Sequence, residues 1–238
     1  TRIGRTGSMG DYVSSIAAYG DFVFITGNFG FRLIDYSNPS LPSIVWSNYD
    51  FGWYASLYIN SHNMYIVENS ELVILDISSP ASPFEESHLT LGPNVHAFEV
   101  ETQGRYAYIA SWEGLFVVDI YDLSAPEIVV NIIGVFAGIT VSSDRAYLLP
   151  AHSQGRTIVY DIQNPLQPVE MSRLWTFEGV SQLEIVGDYG YLVSNSPAGL
   201  CSFDQVSEEI INCYPEYPVG SRLLFSDSKL FITSGDLS

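Results

Sequence analysis

Five times along this chain an aspartate closes a short apolar run, and the interval between copies is nearly constant. The copies read FRLIDYSNPSLP, LVILDISSPASP, LFVVDIYDLSAP, TIVYDIQNPLQP and LCSFDQVSEEII, with the aspartates at Asp35, Asp76, Asp119, Asp161 and Asp204, spaced 41, 43, 42 and 43 residues apart. So steady a period means one supersecondary unit copied in tandem, each copy relying on its neighbour to bury an apolar face. That rules out most architectures before any single residue is interpreted.

A second column runs in phase with the first. DFVFIT, NMYIV, RYAYIA, RAYLL, YGYLV and KLFIT carry central aromatics at Phe24, Tyr65, Tyr108, Tyr147, Tyr191 and Phe231. Aromatic and β-branched residues bounded by Gly, Asp or Asn are a strand signal. Each repeat then holds an early strand (such as residues 15–18), the aromatic strand, the Asp-ended strand, and a last strand such as residues 43–46. Four short antiparallel strands in about 42 residues make one blade of a β-propeller. No stretch shows an amphipathic helical period of useful length, so the expected class is all-β.

Turn residues agree. Gly30, Gly114, Gly155 and Gly199 precede the Asp-ended strand, where a tight connection calls for positive φ. Proline follows the aspartate by four residues at Pro39, Pro80 and Pro165, and by seven at Pro42, Pro83, Pro126 and Pro168. Lacking an amide donor, proline suits the connection and the start of an outermost strand. The fifth repeat has Glu208 and Ile211 there and is the degenerate copy.

Strand counting predicts a single propeller domain over 1–238: a strand at 2–6 that completes a last blade, five full repeats over about 12–220, and a partial repeat at 221–238. By the spacing of the first three repeats, Phe231 calls for an aspartate near position 242, about one strand past Ser238. Six blades are the expectation, with seven or eight the alternatives, and the chain reads as an excerpt of a longer polypeptide. It opens at Thr1 with neither an initiator Met nor a signal peptide.

The 238 residues carry 27 acidic side chains against 9 basic ones, a formal charge of −18, and Lys229 is the only lysine. That balance repels phosphate backbones and anionic lipid, so neither nucleic acid nor direct membrane insertion is expected. No run reaches the length of a membrane span; residues 128–141 are broken by Asn131 and read as two strands. The acidity fits a solvated extracellular surface or a saline habitat.

Cys201 lies in the fifth apolar motif and Cys213 in the run that should pair back against it. A register matching 201 with 213 also matches 203 with 211 and leaves residues 205–209 as the turn. Directly opposed cysteines can reach disulfide distance. An oxidising compartment would join them, and a reducing one would leave two buried thiols.

These motifs resemble the LVIVD repeat, units of about forty residues found in bacterial and archaeal cell-surface proteins, most closely at LVILDI (72–77) and LFVVDI (115–120). Arg32 in the first copy and Cys201–Ser202 in the fifth depart from the pattern. The resemblance implies a β-propeller at the cell surface and carries no catalytic residues with it.

The recurring aspartate is the tempting catalytic group, but a residue present in every blade serves the blade. At a strand end its carboxylate can accept amide hydrogens of the following turn. His62, His88, His96 and His152 show no metal-ligand spacing, and only His96 and His152 map to one face. There is no EF-hand loop, P-loop, G-x-S-x-G or dinucleotide fingerprint. No catalytic residue, cofactor-binding residue or metal ligand is assigned, and the acidity leaves a structural calcium open. The more interesting cluster is aromatic: Trp53, Tyr54, Trp112, Trp175 and Phe177, with Phe51, Tyr214 and Tyr217, map to the face of the loops that follow the aromatic strands. Such rings stack on sugars or anchor proteins, or else wedge between blades. The fourth repeat has the longest such loop, AHSQGR, which adds His152, Gln154 and Arg156 as binding candidates. The reading is a non-catalytic, extracellular or cell-surface propeller. Its partner would be a protein or polysaccharide, and its context further domains of one polypeptide or a surface assembly. The alternative is a hydrolase or lyase with its site at the channel mouth.

Overall fold

Every repeat folds as an antiparallel meander whose strands pair in sequence order. The computed structural model describes residues 13–48, 55–152, 155–174, 177, 179–195, 197–215, 222–226 and 229–233. The first sheet is β1 (Val13–Tyr19), β2 (Phe22–Gly27), β3 (Gly30–Asp35) and β4 (Ser43–Asn48); the second is β5 (Ser56–Asn60), β6 (Asn63–Glu68), β7 (Glu71–Asp76) and β8 (Phe84–Thr90). The third comprises β9 (Ala97–Gln103), β10 (Tyr106–Ser111), β11 (Gly114–Asp119) and β12 (Glu127–Ile133). The fourth comprises β13 (Phe136–Ser142), β14 (Arg145–Pro150), β15 (Ile158–Asp161) and β16 (Val169–Arg173). The fifth comprises β17 (Gln182–Val186), β18 (Tyr189–Asn195), β19 (Ala198–Asp204) and β20 (Ile210–Tyr214). These are the four-stranded antiparallel blades of a β-propeller. The segment 128–141 is indeed two strands, β12 and β13.

The blade count differs from the expectation. Among the described residues there are five four-stranded blades rather than six, and β21 (Arg222–Ser226) with β22 (Lys229–Thr233) forms only a two-stranded sheet. The residues after Thr233, where a third strand of that sheet would run, lie outside the described residues. The strand expected at 2–6 lies outside the described residues.

The chain divides into two units. One takes the described residues up to Ile109 with Phe116–Asn131, and the other takes Ala110–Leu115 with the described residues from Ile132 onward. In the first unit, Phe24, Phe31 and Leu33 of the first blade pack with Leu57, Met64, Ile66 and Leu75 of the second. Tyr65, Val67, Leu72 and Ile74 of that second blade pack instead with Val100, Ile109, Phe116 and Val118 of the third. Met64 and Ile66 thus face one neighbour while Tyr65 and Val67 face the other, the period of two that a strand imposes. Both faces are dry, which is why the run MYIV at 64–67 is apolar without interruption. In the second unit, Tyr147, Leu149 and Val159 of the fourth blade pack with Leu183, Leu192, Cys201 and Phe203 of the fifth. Burial on this scale pushes the Tyr108 phenol up to about 12.

Inner strands are stitched across one repeat by polar groups. Thr26 donates its hydroxyl to the Ala55 carbonyl at 2.7 Å, the Leu57 amide donates to Ser15 Oγ at 3.1 Å, and Asn60 Nδ2 donates to Thr102 Oγ1 at 2.8 Å. The second unit repeats the device: the Thr140 hydroxyl reaches the Leu183 carbonyl at 2.8 Å and the Leu223 amide reaches Gln182 Oε1 at 3.1 Å. Burying the amide and hydroxyl groups in pairs avoids the cost of leaving them unsatisfied.

Register follows the turn residues. A one-residue bulge falls just before the repeat aspartate in four blades, between Leu33 and Ile34, Ile74 and Leu75, Val159 and Tyr160, and Ser202 and Phe203. It corrects one expectation. Cys201 pairs with Cys213, but Phe203 pairs with Ile210 rather than Ile211. Of the four glycines singled out, Gly30, Gly114 and Gly199 have φ of 80°, 149° and 108°. Gly155 does not; a Cβ there would lie 2.3 Å from Cβ of Pro150, so close approach is its reason.

Candidate functional site

Each meander has two edges. One carries the connections from first to second strand and from third to fourth; the other carries the connection from second to third and the passage to the next blade. The repeat aspartate sits on the former. Its Oδ1 accepts the amide hydrogen two residues on: Ser37 to Asp35 at 2.8 Å, Ser78 to Asp76 at 2.6 Å, Tyr121 to Asp119 at 2.9 Å, Gln163 to Asp161 at 2.8 Å, and Val206 to Asp204 at 2.9 Å. Asp204 also accepts the Ser207 amide at 2.8 Å. The residue after each aspartate donates in turn to the hairpin opposite, as in Ile77 to the His62 carbonyl at 2.8 Å and Ile120 to the Arg105 carbonyl at 2.8 Å.

In the first, second, third and fifth blades donors to the aspartate favour its charged form. Ser37 lowers Asp35, the Ser78 amide lowers Asp76, the Arg105 guanidinium lowers Asp119 and the Ser207 amide lowers Asp204. Arg105 closes on Asp119 through both nitrogens of its fork, Nε to Oδ1 at 3.1 Å and Nη2 to Oδ2. Carboxylates so engaged are ionised acceptors at neutral pH, suited to bracing a turn. Among the described residues, no three His, Cys, Asp or Glu side chains converge as a metal site requires.

The sequence assigns a binding face to the opposite edge. Trp53, Tyr54 and Trp175 lie outside the described residues, as do Phe51, Gln154 and Tyr217. Trp112 tips the β10–β11 hairpin with half its surface exposed. Its turn is fixed by Ser111 Oγ, which accepts from the Glu113 and Gly114 amides at 3.0 and 2.9 Å. His152 is exposed and Arg156 half-buried on the loop of the fourth blade, bracketing a tight turn in which the Gly155 amide donates to the His152 carbonyl at 2.9 Å. His96 is exposed in the first unit. Phe177 is not surface: it is fully buried, with its ring 5.7 Å from that of Phe203. The Leu174 carbonyl takes the Phe177 amide at 3.2 Å and turns the chain inward, so this aromatic seals the core.

Cys201 and Cys213 are joined as a disulfide with their Cα atoms 4.1 Å apart, tying the outermost strand β20 to β19. Two further features escaped the sequence. Thr157 Oγ1 is buried with no hydrogen-bond partner among the described residues. Glu184 on β17 is largely enclosed, and burial pushes its carboxyl up. Comparing repeats would have flagged Thr157, because Phe31, Leu72, Leu115 and Leu200 stand at the same distance before their aspartates.

The family description "LVIVD repeat" matches residues 10–50, 59–90 and 96–133. No curated protein matches the chain. Among solved structures, the chain resembles a computationally designed protein, Ika8, at 10% identity and a TM-score of 0.66, covering 92% of this chain and 66% of that one. It also resembles BamB from Moraxella catarrhalis at 14% identity and a TM-score of 0.65, with the same coverage of 92% and 66%. A protein from Lactobacillus plantarum matches at 10% identity and a TM-score of 0.70, over 84% of this chain and 70% of that one. The chain therefore spans 66% of the length of the first two, and at these identities the likeness is one of fold.

Proposed function

The chain belongs to the LVIVD-repeat family of β-propeller proteins, and from that premise we propose that it is a non-catalytic interaction or structural module outside the cell, part of a larger surface protein or assembly. The observation that carries the reading is the uniform use of the repeat aspartate. The chemical group that recurs most often is bound to its own turn in all five blades, and four of the five carboxylates are held below their usual range. Function then falls to surfaces between and around the blades, as in other repeat folds. The Cys201–Cys213 disulfide supports an oxidising location. Among the described residues, no helix is long and apolar enough to cross a membrane. The partner is a polypeptide or polysaccharide.

Surface labelling tests location: a membrane-impermeant biotin ester applied to intact source cells should modify the protein before lysis. Labelling only after lysis, or turnover of a glycan or peptide substrate by the purified chain, would overturn the proposal.

A further inference from the structure

Several strongly exposed apolar side chains, Leu41, Phe84, Tyr121, Val169 and Val206, lie on the edge of the repeat aspartates, while Ile133, the most exposed among the described residues, ends β12 on the other edge. Two hydrogen bonds in equivalent places relate four of those on the aspartate edge. In the first unit, Ser87 on β8 donates its hydroxyl to the Leu123 carbonyl at 2.5 Å, so the outermost strand of one blade lies against the last turn of the next. In the second unit, Ser172 on β16 donates to the Glu208 carboxylate in the corresponding turn. Each bond brings two apolar residues to one boundary. Phe84 stands three residues before Ser87 and Tyr121 two before Leu123; Val169 stands three before Ser172 and Val206 two before Glu208. Their exposures are 66%, 78%, 61% and 82%. A core-forming repeat has no internal use for these side chains.

We propose that these two boundaries, Phe84 with Tyr121 and Val169 with Val206, are equivalent docking notches for a cationic, apolar polypeptide segment. The commitment to a polypeptide rests on charge and shape. Glu86, Asp122 and Glu127 lie exposed beside the first pair, and Asp204, Glu208 and Glu209 accompany the second. A formal charge of −18 repels a second copy of the chain. A sugar needs an aromatic platform, which the valine pair does not supply, whereas alternating apolar and basic residues satisfy both notches. The Arg105 guanidinium lies 4.9 Å from the Tyr121 ring centroid and is neutralised by Asp119, so the uncompensated charge at the first boundary is that of the other carboxylates. Ser124 holds Asp122, and Ser207 holds Asp204, below the usual carboxylate range, so the negative charge persists into mild acid.

This inference rests on the reading of the chain as an interaction module and supplies the partner's chemistry. The test titrates the full chain into a fluorescein-labelled peptide of alternating Lys and Leu, followed by anisotropy at physiological salt. Phe84→Ser with Tyr121→Ser, and separately Val169→Ser with Val206→Ser, should each weaken binding about tenfold, as loss of apolar anchors does. Trp112→Ser on the opposite edge should leave it unchanged. Should a serine pair unfold the chain, Phe84→Gln alone and Val206→Thr alone read the same loss. No binding by the wild type, binding indifferent to every notch variant, loss in Trp112→Ser, or capture of a neutral oligosaccharide that the notch variants abolish would each overturn it. None of these bears on surface labelling or turnover, so the module reading stands or falls separately.

Discussion

Thr26 and Ala55 belong to successive blades and meet through a buried hydrogen bond of 2.7 Å, hydroxyl to carbonyl. Both residues are completely enclosed, and Ser14 adds only a longer contact of 3.3 Å to the same oxygen. Thr26→Val keeps the shape and removes the donor, leaving a dry carbonyl under-satisfied. The expected cost is about 1–3 kcal/mol, read as a lower urea midpoint with unchanged slope. An unchanged midpoint would mean that water reaches this carbonyl.

The opposite sign is expected at Thr157. Four of five blades bury a large apolar side chain at this point, and in the fourth a hydroxyl is buried without a partner among the described residues. Strand pairing explains the vacancy of roles. β14 and β15 pair only from Arg145–Asp161 to Leu148–Ile158, whereas β6 and β7 stay paired as far as Glu68–Glu71. Thr157→Val removes an unsatisfied polar atom at constant shape and should raise stability by about 1 kcal/mol. For a chain of this size that is a shift in Tm of roughly 2–4 °C. A lower Tm would show that the hydroxyl has a partner in solution.

Architecture was readable in the sequence because a propeller blade is a local object. Its strands, hairpin glycines and connecting prolines are written within one period, so Asp35 to Asp204 and Phe24 to Tyr191 were placed in the right strands. Less legible is what packing, bulges and closure decide. Phe177 looked like a surface ring because its loop is irregular, and only packing against Phe203 shows it is core. Ile211 was matched with Phe203 because bulges are invisible to simple alternation. Counting strand signals predicts a sixth blade, whereas among the described residues β21 and β22 form a two-stranded sheet. The apolar notches are hidden because Phe84 and Tyr121 stand in different repeats, 37 residues apart, and the Ser87–Leu123 bond is what relates their segments.

Reducing the disulfide should loosen one edge without unfolding the blade. Cys201 and Cys213 close a short loop of 12 residues between strands already paired on both sides of the crosslink. Chain-entropy reasoning for a loop of this length gives about 2–3 kcal/mol. Thermal melts with and without dithiothreitol should therefore differ in Tm, and amide exchange should accelerate first in β20. Uniform acceleration across all blades would show that the crosslink guards the whole fold instead of its last edge strand.

Acid should first strengthen and then weaken the protein, because two kinds of carboxyl pull in opposite directions. Glu184 has its pKa raised by burial, so its charged form disfavours the fold at neutral pH. That penalty is relieved as the pH falls through its folded pKa, above the usual glutamate range. Relief of the repulsion among a formal −18 acts in the same direction. Asp76 and Asp204 have pKa values lowered by amide donors. Their contribution is fully present above the ordinary aspartate range and is lost as the pH falls through the depressed folded values. Urea midpoints measured across the pH range should therefore peak in mild acid. Glu184→Gln should raise the neutral limb and reduce its slope, while Asp76→Asn should lower stability at neutral pH and flatten the acid limb. If Glu184→Gln leaves the neutral limb as it was, the rise belongs to overall charge alone; if Asp76→Asn leaves the acid limb untouched, the turn is braced by its backbone bonds and not by its carboxylate.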